Sequence, residues 1–179
     1  LSLLSVLVGL PGEVMAAMAK PYADRPAREG GRRAVENHDI ANVLLTFDSG
    51  ASGVLMANRS AWGRKGRIFI QIYGSEGSIL YDQERMNEFQ LYDRAGEPAN
   101  QGFRTVLTSG NHPIYGKFIP APGHGLGFND LKIIECRELL AAIAGEPAHV
   151  IDFETGFAIE SAVHAMAQSH AGRRWMKTT

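Results

Sequence analysis

Apolar and polar positions alternate most regularly between Ile40 and Asp82, where four short runs follow one another. Residues 42–47 lead into Asp48-Ser49-Gly50, and 53–59 follow. After a polar connection, 67–73 meets Gly74-Ser75-Glu76-Gly77, and 78–82 closes the series. β-Branched and aromatic runs separated by Asp, Ser and Gly predict strands joined by hairpins. The glycines suit tight reversals, because glycine reaches positive φ without steric cost. Val43, Leu45 and Phe47 share one face, as do Ile68, Ile70 and Ile72. Phe69, Gln71 and Tyr73 lie on the opposite face, which is mixed in character. Such a sheet needs two covers: helices for the apolar face, and a partner sheet or subunit for the mixed one.

The flanking patterns complete the outline. Residues 1–8 predict the tail of a core helix, stopped by Gly9 and Pro11. Residues 13–19 predict a strand, although their unbroken apolar run also fits a helix. Residues 21–31 predict a loop by their Pro, Gly and charges. Residues 88–93 alternate as a fifth strand, and 94–98 make a turn. Residues 102–127 are long and irregular, a kind of segment that is usually functional or mobile. A helix is predicted over 129–144, with Ile133, Cys136, Leu140 and Ile143 at helical spacing and Gly145 and Pro147 as stops. Asp152 is predicted to cap a second helix running to about Ala171. Phe157, Ser161, Ala165 and Met166 form its packing stripe, with Gly172 at the C-cap. Residues 174–177 predict a short terminal strand. Successive hairpins and late helices together predict an α+β fold: a large open, mainly antiparallel sheet with helices packed on one face.

Composition narrows the function classes. A length of 179 residues suggests one domain, 1–179, and 45% hydrophobic residues can build a core. Eighteen basic against nineteen acidic residues give no excess for nucleic acid or an anionic membrane. The basic stretch 25–33 is broken by Pro26, Gly30 and Gly31 and reads as a solvated loop. The single cysteine, Cys136, excludes an intrachain disulfide and a cysteine metal cluster. Within its apolar helical pattern it is expected as a small buried hydrophobe, and it fits a reducing, cytoplasmic setting. The apolar stretch 1–10 lacks a preceding basic segment and is too short to span a bilayer. Opening in mid-hydrophobic run without Met, the chain is expected to be a fragment of a longer one.

Recognisable catalytic motifs are few. Gly123-His124-Gly125-Leu126-Gly127 lacks the spacing and the βαβ setting of a dinucleotide loop. No Gly-x-Ser-x-Gly elbow occurs. His164 and His170 stand six apart on the last helix, which is not a one-face metal spacing. With His38 and His149 they read as surface or satisfied structural histidines. Three places remain. At the end of the second strand, Arg59 and Trp62 suit an anionic or sugar-like ligand, by forked hydrogen bonds and ring stacking. Equally, Arg59 pairs with a surface carboxylate and Trp62 fills a loop core. Asn111 and His112 either line a cleft or stand in a solvent loop. His124 lies between glycines that allow close backbone approach, just ahead of a helix N-terminus that favours anions. No paired carboxylates or base–nucleophile set connects these places.

The runs Asn42-Val43-Leu44-Leu45-Thr46-Phe47-Asp48-Ser49-Gly50-Ala51-Ser52-Gly53 and Ile72-Tyr73-Gly74-Ser75-Glu76-Gly77-Ser78 resemble the C-terminal domain of the Gfo/Idh/MocA (glucose-fructose oxidoreductase / inositol dehydrogenase) family. Leu140-Ala141-Ala142-Ile143, Asp152-Phe153-Glu154-Thr155-Gly156 and Ser169-His170-Ala171-Gly172-Arg173-Arg174-Trp175 resemble its last helices and strand. The resemblance implies a dihydrodipicolinate-reductase-like domain whose open sheet face joins subunits into a homo-oligomer. It implies hydride transfer between NAD or NADP and a sugar, cyclitol or related polyol. The dinucleotide belongs to an N-terminal Rossmann domain not contained in these residues. No catalytic, cofactor-binding or metal residue, and no bound cofactor, is therefore expected in this stretch. Lys20-Pro21 follows the first strand and is not the family's Lys-Pro motif. The family's catalytic His aligns before Leu1, and a further Asp aligns with Ser2. Arg59, Trp62, Asn111, His112 and His124 fall in regions that border the substrate cleft in relatives. The alternative is a non-catalytic association or small-molecule-sensing domain of a degenerate member, which Ser2 favours.

Overall fold

The computed structural model describes residues 1–178. In chain order the elements are α1 (Ser2–Leu7), β1 (Glu13–Ala19), β2 (Asp24–Pro26), β3 (Arg32–Ala34), β4 (Ile40–Thr46) and β5 (Ser52–Asn58). Then follow β6 (Phe69–Tyr73), β7 (Gly77–Asp82), β8 (Glu88–Asp93), β9 (Arg104–Leu107), α2 (Phe128–Ile143), α3 (Phe153–Gly172) and β10 (Met176–Lys177). Within the single stretch expected from length, contacts gather into two compact units. One joins Leu1–Trp62 to Ile151–Thr179, and the other is Gly63–Val150. The class is α+β with antiparallel pairing throughout, and the ladder is interrupted between β5 and β6 to give two four-stranded sheets.

In the first unit the strand order is β10-β1-β4-β5. The register sets Val14 opposite Leu45 and Ala16 opposite Val43. Alternation therefore turns Val14, Ala16, Val43 and Leu45 to one side, where all four are buried with Phe47. Ala165 and Met166 of α3 complete this core, and Ala162 is also fully buried. Phe157 of the expected stripe is exposed instead. Small residues let the helix lie close to the sheet, so the inward face is the alanine one rather than the aromatic one. Asp152 does cap α3, accepting the Thr155 amide at 2.8 Å. The C-cap is Arg173, at φ 50°, rather than Gly172.

β10 covers β1 only at Glu13 and Val14. Past that point two side chains from the end of α3 take over the strand edge. Ser169, fully buried, accepts the Ala16 amide at 2.9 Å and donates to the Arg174 carbonyl at 2.6 Å. His170 Nδ1 accepts the Met18 amide at 3.1 Å. His170 is thus a satisfied structural histidine, with His38 packed edge-on against it at 5.0 Å. The opposite sheet face carries Leu44, Val54 and Met56, which are 49%, 67% and 77% exposed. Residues 21–31, expected as a loop, contribute to a β2–β3 hairpin, in which Arg32 pairs with Asp24.

The second unit is a β6-β7-β8-β9 meander. Ile70, Tyr81, Phe89 and Val106 form one row across all four strands. The last strand lies inside the stretch expected to be irregular. Arg104–Leu107 has no strong strand pattern of its own, and pairing with β8 supplies its order. Phe69 and Tyr73 stand exposed on the other face, as the mixed pattern implied.

α2 spans the predicted residues but presents a different side. Ile133, Leu140 and Ile143 are exposed, and so is Cys136, which is not the buried hydrophobe expected. The covered positions are Leu131, Ile134, Glu138 and Ala141, the same helical spacing with a glutamate in it. Glu138 fixes the choice, because its carboxylate accepts the His149 amide at 2.8 Å and meets Arg137. The His149 amide is the main cause holding the Glu138 carboxyl below its ordinary value of 4.5; burial opposes it and Arg137 adds to it. A depressed folded value stabilises the fold above the ordinary value and ceases to do so as pH falls through the depressed one. Glu138→Gln keeps an acceptor but removes the titration. Urea midpoints of the variant should therefore fall less steeply than those of the natural chain on acidification below 4.5; parallel curves would refute the assignment.

Candidate functional site

The second unit contains a cavity of about 380 Å³ beneath the segment 108–126. Tyr81 and Phe89 from the sheet, Thr108, His112 and Tyr115 from the segment, and Leu126 at its far end line it. One residue holds both ends of the segment. The Asn87 carbonyl accepts the Thr108 amide at 2.8 Å. Its side-chain Oδ1 accepts the Leu126 amide at 2.7 Å and the Thr108 hydroxyl at 3.2 Å, while Nδ2 donates to the Leu126 carbonyl at 2.9 Å. A Cβ at position 125 would lie 2.8 Å from Asn87 Nδ2, so only glycine fits there.

Between these ends the backbone is strained at one place. Ile114 has φ 70° and ψ −41°, and the Tyr115 amide bonds to the Pro113 carbonyl at 2.8 Å. This is a γ-turn of the rare hand, centred on a β-branched residue that disfavours positive φ. Such a conformation costs on the order of 1–3 kcal/mol and persists only where its surroundings over-determine it. The turn sets the His112 and Tyr115 rings side by side, 6.2 Å apart and tilted by 39°. His112 Nδ1 accepts the Ser109 amide at 3.0 Å. In the neutral ring the proton therefore resides on Nε2, leaving an N–H donor unused by that contact. Burial, then the neighbouring Tyr115 and Asp82, push the Tyr81 hydroxyl above its ordinary value of 10.0, so it remains a proton donor at neutral pH.

Of the residues singled out from sequence, only His112 lines this cavity. Asn111 is exposed beside it, its amide bonded to Ser109 Oγ at 3.3 Å. His124 is exposed and donates from Nδ1 to the Ala121 carbonyl at 3.0 Å. The helix end that gave His124 its anion rationale is already served, because Asp130 accepts the Gly127 amide at 2.7 Å. The glycine beside His124 admits Asn87, not a ligand. In the first unit Arg59 is exposed and, among the described residues, pairs with no carboxylate. Trp62 is 89% exposed and fills no loop core. Tyr81, Tyr115 and Asn87 went unmarked in the sequence. Tyr81 ends a strand motif, and Asn87 gains meaning only from partners 21 and 39 positions away.

Asn87→Ala leaves the peptide groups of buried Leu126 without partners, a loss of about 1–3 kcal/mol for each group stranded. Amide hydrogen exchange should show Leu126 losing protection before the β6–β8 amides do, while Thr108, whose amide bonds the Asn87 main-chain carbonyl, loses less. Unchanged protection at Leu126 would contradict the side-chain clamp.

No helix among the described residues is long and apolar enough to cross a membrane. Residues 1–80 match the family model of the GFO/IDH/MocA C-terminal domain. Levoglucosan dehydrogenase of Pseudarthrobacter phenanthrenivorans is 31% identical over 183 residues, aligned to 95% of this chain and 47% of that protein. Among solved structures, an NAD binding oxidoreductase from Klebsiella pneumoniae is 34% identical, with TM-score 0.92 over 99% of this chain and 48% of its own. A levoglucosan dehydrogenase in complex with NADH and L-sorbose is 32% identical, with TM-score 0.92 over 98% of this chain and 47% of its own. The chain thus spans about half the length of these relatives. By the match of its first 80 residues and by a likeness that continues through nearly all the rest, the chain belongs to the Gfo/Idh/MocA family, as its C-terminal domain.

Proposed function

We propose that these residues form the C-terminal substrate-binding and association module of an NAD(P)-dependent oxidoreductase that acts on a hydroxyl carbon of a sugar, cyclitol or related polyol. The observation that carries this reading is near-complete alignment to levoglucosan dehydrogenase, whose solved complex contains NADH and L-sorbose. The nicotinamide is held mainly by the parent protein outside these residues, since no dinucleotide fingerprint lies within them. Arg59, Trp62 and His112 are the proposed substrate contacts with most structural support, through exposure or cavity lining. Asn111 and His124 join them on exposure alone. A single cysteine suits a cytoplasmic setting. The second reading, association or sensing without catalysis, rests on Ser2 at the position of a family aspartate.

The parent protein should oxidise cyclic sugars or cyclitols with NAD or NADP, followed by nicotinamide absorbance, and the 179-residue chain alone should not. Turnover by the chain alone would overturn this division of labour. A parent inactive across a panel of sugars and cyclitols would favour the second reading.

Association is proposed to use the sheet face bearing Leu44, Val54 and Met56. Leaving apolar area in water costs roughly 25 cal/mol per Å². Light scattering should find the natural chain self-associated, and Val54→Asp with Met56→Asp should shift it to monomer. A natural chain that is strictly monomeric would contradict the proposal.

A further inference from the structure

The β2–β3 ribbon holds two like charges face to face. Its register sets Arg25 directly opposite Arg33. Opposite partners in an antiparallel pair project from the same side, roughly 5 Å apart at Cβ, and like charges so placed destabilise the ribbon. The other side neutralises itself, because Asp24 pairs there with Arg32 at 2.6 Å. Arg28, at the tip, brings a third guanidinium. The tip is closed by the Ala27 amide on the Gly31 carbonyl at 3.1 Å and the Gly30 amide on the Ala27 carbonyl at 3.2 Å, with both glycines at positive φ. Arg25, Arg28 and Arg33 line a cavity of about 350 Å³, with Pro26 and Ala34 as apolar wall and Glu29 as the one carboxylate among the lining residues. Arg25 is held from two directions. Its Nη2 donates to the buried Asp39 carboxylate at 2.7 Å, and its guanidinium lies over the Tyr22 ring, 5.7 Å from the centroid. A guanidinium has five N–H donors in a planar fork, so one bond to Asp39 leaves others for a ligand. Among the described residues Arg28 and Arg33 join no ion pair.

We propose that this cavity binds the phosphate group of a small phosphomonoester, with the Arg28 and Arg33 guanidiniums on its oxygens and Arg25, braced by Asp39, as the fixed third donor. A guanidinium meets phosphate in a two-bond fork, and such charge-assisted bonds are roughly twice as strong as neutral ones. A bound anion also turns the Arg25–Arg33 repulsion into a shared attraction, which gives the costly cross-strand pair a reason to stand. The volume falls at the lower end of the range of small-molecule sites, roughly 300–1,000 Å³, and leaves room for the organic carrier against Pro26 and Ala34. Glu29 opposes the anion and limits its affinity. The proposal does not depend on the polyol reading.

The test is titration of the 179-residue chain with glycerol 1-phosphate, inorganic phosphate and acetate at matched ionic strength, read by calorimetry and by amide chemical shifts. The ester should bind and shift the amides of the β2–β3 ribbon, inorganic phosphate should do so more weakly, and acetate should bind about tenfold less tightly than the ester. Arg28→Gln and Arg33→Gln should each weaken ester binding about tenfold, the effect of losing one charge-assisted hydrogen bond. Arg33→Lys keeps the charge without the fork and should fall between. Glu29→Gln should bind the ester several-fold more tightly. Without ligand, Arg33→Gln should hold or raise the thermal midpoint, because it removes one of two facing like charges; a purely structural arginine would lower it. Shifts that sodium chloride reproduces, binding indifferent to both Arg28→Gln and Arg33→Gln, or equal affinity for acetate would each overturn the proposal. Binding of inorganic phosphate that the ester does not match would mark an adventitious ion only and would overturn it as well.

Discussion

The candidate site depends on a single side-chain amide. Asn87 stands at the start of β8, and the two ends of a segment nineteen positions long converge on it through hydrogen bonds to Thr108 and Leu126. Closing a loop of this length costs chain entropy that grows only slowly with length. Three side-chain bonds at one point are then enough to define its ends. With the ends fixed, the interior folds against itself: a Cβ on Gly116 would come 2.5 Å from the Gly110 carbonyl oxygen. That closeness leaves the backbone at Ile114 no easy escape, and the γ-turn survives there. Ring placement in the cavity is therefore a downstream consequence of an asparagine that touches no ring itself.

The strands were largely legible because alternation and glycine punctuation are local signals. β4, β5, β7 and β8 fall within a residue or two of their expected bounds. What escaped was set by partners distant in sequence. β9 is ordered by its neighbour β8, and the β2–β3 hairpin hides behind prolines and arginines. α2 offered two helical faces of the same period. The one with more hydrophobes looked like the core side, yet the side with Glu138 is covered, because a carboxylate can anchor a helix through a backbone amide. The site was legible only in its one histidine. Gly125 was read as room for a ligand, and it is room for Asn87.

These findings separate two kinds of contribution. The residues around the cavity offer donors, acceptors and apolar walls: the hydroxyls of Tyr81, Tyr115 and Thr108, the His112 ring and Glu88, with Phe89 and Leu126 between them. That suits a domain whose task in the proposed enzyme is to hold and select a substrate while the reacting cofactor is supplied elsewhere. It also explains why motif inspection found so little: neutral hydroxyls on a sheet have no fixed spacing in a sequence.

Ser169 and His170, at the end of α3, occupy the amides of β1 that the short β10 leaves uncovered. A strand whose outward amides are already bonded cannot template another strand. Along this stretch the sheet is closed to the edge-to-edge growth that seeds fibres, and the closure is made by two side chains rather than by a longer neighbour. A two-residue strand beside β1 is sufficient for that reason.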